Sequence, residues 1–139
     1  MRPKVVRTGF IKRLAVSRRG ATAVEFAMVA PIFIIMVAGV FEMGRAMWIK
    51  SSMQYAVEET TRYAIVNTGA TTSTLATYAS TAYTSSGNSI SGATFAATQT
   101  TTSGVTYISV TGSYSFSVII PLVPFPDVTL SAKSRVPIS

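Results

Sequence analysis

The sequence predicts an α+β fold. A long N-terminal transmembrane helix continues into an exported amphipathic half and packs on a small antiparallel β-sheet. Three observations carry this reading. Seven basic residues and no acid precede Gly20, and the 16 residues Phe26 to Phe41 are free of charge. Small or apolar side chains at helical spacing follow, at Ala46, Ile49, Met53, Ala56 and Tyr63. Near the end, Ile108, Val110, Tyr114, Phe116, Val118 and Ile120 alternate with polar residues, the period of a half-buried strand.

The first element is the span. Sixteen residues at the helical rise cover about 24 Å, short of a hydrocarbon core of about 30 Å. A helix beginning at Ala21 covers about 31 Å, so the span is expected over 21–41 with Glu25 about one turn inside it. The basic leader, Arg2, Lys4, Arg7, Lys12, Arg13, Arg18 and Arg19, keeps the N-terminus cytoplasmic. An acid at the centre of a spanning helix costs roughly 2.5 to 3.5 kcal/mol and less near its end, which marks Glu25 as functional. Pro31 removes a helix hydrogen bond inside the span, and a kink is expected there. Ala23, Ala27 and Ala30 give the start of the span a small-residue face suited to close helix contact.

Gly20 ahead of Ala21, with Glu25 fifth after that junction and Phe26 behind it, resembles the processing and assembly motif of type IV pilin-like proteins. Within that group the sequence is most similar to the TadE-like pseudopilins of tight-adherence (Tad) pilus systems. The similarity runs through Ala23-Val24-Glu25-Phe26, Pro31 and Phe41-Glu42-Met43-Gly44-Arg45, then on to Ala56 and Arg62. It covers about the first half of the chain; the second half is matched only in general character. The resemblance implies a pilin-like fold and a processing site at Gly20 and Ala21, cut by a prepilin peptidase. It implies an assembly role for Glu25 and Phe26 and a helix kink at Pro31.

Composition narrows the chemistry. There is no histidine and no cysteine, so Ser-His-Asp, Cys-His and HExxH sites are excluded and no disulfide can staple an exported domain. The adjacent Glu58 and Glu59 point about 100° apart on a helix and do not pair. No Gly-rich phosphate loop appears. No enzyme and no cofactor or metal is therefore expected. The net charge of +7 resides in the leader, and residues 21–139 are formally neutral, which speaks for membrane topology and against nucleic acid.

From Glu42 to Val66 the only glycine is Gly44 and there is no proline, so the helix is expected to continue to about Val66. Lys50, Gln54, Glu58 and Arg62 form a polar line, with Glu58 and Arg62 in the favourable order for an i,i+4 pair. Met43, Met47 and Met53 are read as packing residues, and Trp48 suits the outer membrane–water boundary. Asn67 and Gly69 are stop signals. Half of residues 67–104 are Ser or Thr and none is charged. Leu75, Tyr78, Ala79, Ala82 and Tyr83 predict a short helix near 73–84, closed by Ser85-Ser86-Gly87-Asn88, with a strand over Ala93–Gln99.

The clearest strand is expected over 105–120, with Gly112 as a bulge or bend. Three prolines make Pro121 to Asp127 a loop. Val128, Leu130 and Ala132 alternate with polar residues in a last strand. Two or three strands are marginal alone and need the apolar stripe of the long helix. Met53, Ala56 and Tyr63 are expected to lie beneath Ile108, Val110 and Phe116.

The chain thus divides into a leader over 1–20, a spanning and extended helix over 21–66, a Ser/Thr-rich segment over 67–104 and a β region over 105–139. By resemblance it is a structural minor pilin or pseudopilin, because major pilins of such systems are much shorter and lack a β domain. The implied partners are other pilin or pseudopilin subunits, the inner-membrane assembly machinery, the prepilin peptidase and the membrane. The implied location is the bacterial inner membrane, single-pass, with the C-terminal domain periplasmic, and after assembly an extracellular pilus. Two other readings stay open: a signal-anchored envelope adhesion or binding module, and a secreted β protein whose signal peptide is removed after Gly39.

Overall fold

The computed structural model describes residues 18–87, 90–120 and 126–138. Two helices and three strands follow one another as α1 (Arg18–Val66), α2 (Thr72–Ser85), β1 (Thr94–Thr102), β2 (Val105–Phe116) and β3 (Val128–Pro137). The α+β class and the candidate span read from the sequence are those of the structure. Most of the leader, Asn88 and the stretch Pro121 to Phe125 lie outside the described residues.

α1 is one helix of 49 residues, about 73 Å long, and it runs without a break through Pro31. Its two halves have different surroundings. Residues 20–29 and 31–37 are exposed all round. In the other half Ile49, Ser52, Met53, Ala56, Val57, Thr60, Thr61 and Ala64 are buried, a stripe at spacings of three and four. On the opposite side Lys50, Glu58 and Arg62 are exposed. Glu58 takes its hydrogen bond from Gln54 Nε2 at 2.7 Å rather than from Arg62. The helix stops where expected: the Asn67 amide and side chain both donate to the Tyr63 carbonyl.

α2 starts at Thr71, whose hydroxyl accepts the Thr74 amide at 3.2 Å as an N-cap. Leu75, Ala79, Ala82 and Tyr83 are buried, and Tyr78 stacks on Tyr63 of α1 with ring centroids 4.4 Å apart. Met53, Ala56, Ile108, Val110 and Phe116 join one core as expected, and Tyr63 packs at its edge against α2.

The sheet is antiparallel in the order β1-β2-β3. β1 and β2 meet in a two-residue turn, Ser103 and Gly104, both at positive φ, the pattern whose twist suits a tight hairpin. The inward face carries Phe95 and Ala97 of β1, Ile108, Val110, Tyr114 and Phe116 of β2, and Leu130, Ala132 and Val136 of β3. Thr61 Oγ1 and Ser134 Oγ, 2.9 Å apart, tie α1 to β3.

Two expectations need correction. Gly112 is no bulge: the register passes through it unbroken, from Phe95 on one side to Ala132 on the other. A β-carbon there would come 2.8 Å from Phe95 Cε1, so glycine makes room for a ring. β2 also ends at Phe116 rather than at 120. Beyond it the backbone turns to α1: Ser117 gives its carbonyl to Arg45, and Ile119 and Ile120 give their amides to Glu42.

Candidate functional site

The residues singled out in the sequence lie along the bare half of α1. Gly20 is already helical and exposed, the third residue of the helix that starts at Arg18. Ala21 and Glu25 are exposed, Phe26 is 73% exposed, and Pro31 is exposed within the continuous helix. All five are remote from the core: Glu25 and Glu42, where the folded domain begins, are about 25 Å apart along the axis. Apolar side chains from Val24 to Phe41 face outward on every side. Such a surface is stable in water only when something covers it, and by length and composition this helix is long enough to cross a membrane.

The second carboxylate of α1 was not anticipated as a site. Glu42 follows the apolar run directly, yet it is only 2% exposed. Its Oε2 accepts Arg45 Nε at 2.9 Å and Nη2 at 2.8 Å. Its Oε1 accepts the successive amides of Ile119 at 3.0 Å and Ile120 at 3.2 Å. Arg45 in turn donates to the Ser117 carbonyl and lies over the Phe116 ring, 4.2 Å from its centroid. Burial pushes the Glu42 carboxyl up. The Arg45 hydrogen bonds, the Ile119 amide, the Arg45 charge and the Ile120 amide together outweigh it and hold the group below its ordinary value. The signal present in the sequence was an acid and a base three apart just past a charge-free run; their distant backbone partners had no local signature.

Beside this pair, Glu42, Met43, Ala46, Phe116, Pro126, Val128 and Leu130 line a cleft of about 160 Å³. Among the described residues no group of three or more acidic side chains is placed to hold a metal ion.

Fold and site together define an α+β protein with one candidate membrane span among the described residues, the C-terminal half of that helix clamped to a three-stranded sheet. Residues 20–62 match the family model for TadE-like protein, so the resemblance read from the sequence stands over this stretch. The match starts at Gly20 and ends at Arg62, taking in the bare half of α1, Glu42 and Arg45, and most of the buried stripe. No curated protein and no solved structure matches the chain.

Proposed function

We propose that this chain is a structural minor pilin or pseudopilin of a Tad-type pilus or secretion system, cleaved after Gly20 and assembled through α1. The observation that carries the reading is the division of α1. Its exported half is consumed by the chain's own core, while its apolar half is bare and available to lipid first and to neighbouring subunits afterwards. The TadE-like match over the same helix supports it.

In this reading a prepilin peptidase removes the basic leader and frees an amine on Ala21, charged near neutral pH with a reference pKa of about 7.7–8.0. Glu25 then meets the amine of a neighbouring, staggered subunit. Opposite charges 4 Å apart attract by about 4 kcal/mol at an effective dielectric of 20, before desolvation is subtracted. Association therefore relieves a carboxylate that is costly in lipid. Pro31 supplies a weak point at which the packed helix bends. The sheet domain lies on the periplasmic side and serves in initiating, priming or capping a filament.

N-terminal analysis of the protein purified from its own membranes tests the reading. A start at Ala21 supports it. A start at Met1 favours a signal-anchored module, and a start near Val40 favours a secreted β protein.

A further inference from the structure

The sheet domain meets the end of the apolar run at one place, and that place is itself apolar. Glu42 is the first residue after Phe41, so its depth is set by the span. Because Glu42 Oε1 holds the Ile119 and Ile120 amides, the 117–120 segment is pinned at that same depth. Ile119 nevertheless leaves its side chain 69% exposed. The cleft beside Glu42 opens at this end of the sheet, with Met43 and Val128 exposed at its rim. Its accessible wall is hydrocarbon, because the oxygens of Glu42 are taken by Arg45 and the two amides. Dry apolar cavities of about 150 Å³ admit benzene-sized hydrocarbon.

We propose that this end of the exported domain is a lipid-docking surface. Ile119 and the rim of the cleft enter the outer edge of the bilayer beside α1, and the cleft takes up the end of an acyl chain. The inference rests on the reading that residues 21–41 cross the membrane. Lipid is the occupant because the patch is continuous with the span. The outward face of α1 stays apolar from Phe41 through Met47 to Trp48, and tryptophan favours the interfacial layer at that height. The charged side chains at this end also suit a bilayer edge: Arg45 is engaged with Glu42, and Asp127 is exposed beside Val128, where headgroups and water lie. The domain then rests on the membrane surface instead of standing off it.

The absence of cysteine lets single labelled variants be made without background. I119C, I34C in mid-span and T101C near the β1–β2 turn, each carrying an environment-sensitive fluorophore, are reconstituted as full-length chains in phosphatidylethanolamine–phosphatidylglycerol vesicles. Quenching by nitroxide-bearing lipids is compared with quenching by aqueous iodide. The expected pattern is lipid quenching with little iodide quenching at I34C and I119C, and the reverse at T101C. Lipid quenching at I34C with iodide quenching at I119C overturns the docking surface and leaves the span intact. Iodide quenching at I34C overturns the span and the docking surface with it. An I119C label shielded from both quenchers assigns the patch to a protein, such as a second copy of the chain, and overturns the lipid assignment.

Discussion

The carboxylate of Glu42 accepts the backbone amide of Ile119 at 3.0 Å, across 77 residues of chain. This contact fastens the end of β2 to the long helix at the level where the apolar run stops. It also decides how the domain answers to pH. A carboxyl held below its ordinary value binds fewer protons folded than unfolded, so its contribution is complete above the unfolded pKa, near the ordinary value of 4.5. That contribution is lost as pH falls through the lower folded value. In full-length protein in nanodiscs, the wild-type midpoint of thermal unfolding is expected to drop below about pH 4.5. Glu42→Gln should lower the midpoint at neutral pH and flatten the acid limb. Glu42→Ala should be worse, because Arg45 then also loses its partner. An acid limb unchanged in Glu42→Gln would assign it to another carboxylate.

Phe116 lies in the core beneath the Arg45 guanidinium, and the neighbouring Ser115 faces out. Removing a buried phenylalanine side chain costs about 3–5 kcal/mol, and a surface substitution stays within about 0.5 kcal/mol. Phe116→Ala is expected to make the sheet domain protease-sensitive, with Ser115→Ala behaving as wild type. Equal resistance of the two would place the wrong face inward.

Gly112 and Phe95 form a cross-strand pair in which one residue makes room for the other. Gly112→Val should destabilise by about 1–3 kcal/mol, the usual range for overpacking. Combining it with Phe95→Ala should recover part of that loss, since the obstructing ring is gone. The double-mutant cycle measured by denaturant unfolding gives the coupling directly, and a coupling of zero would detach the glycine from the ring.

The assembly hypothesis separates two events on one helix. Gly20→Val is expected to leave the protein inserted but uncut, as read by intact mass. Glu25→Leu should insert and be cut after Gly20 yet fail to crosslink or co-purify with its partner subunits. Normal partner recovery by that variant would remove Glu25 from assembly. Cutting of Gly20→Val at the usual site and rate would move the junction.

What the sequence determined by itself is what local periodicity and charge order can express. The charge-free run behind a basic leader marked the candidate span. Spacing of three and four found the stripe through Ile49, Met53 and Ala56 and the set Leu75, Tyr78, Ala79, Ala82 and Tyr83 on α2, and alternation found the inward face of β2 and β3. Each signal depends only on neighbours along the chain. The tertiary structure decided which distant groups meet. Glu42 is buried because the segment after β2 brings the Ile119 and Ile120 amides to the helix, and Gly112 is required because Phe95 arrives from another strand. Such partners are set by packing between segments far apart in sequence, and no residue pattern around Glu42 or Gly112 encodes them.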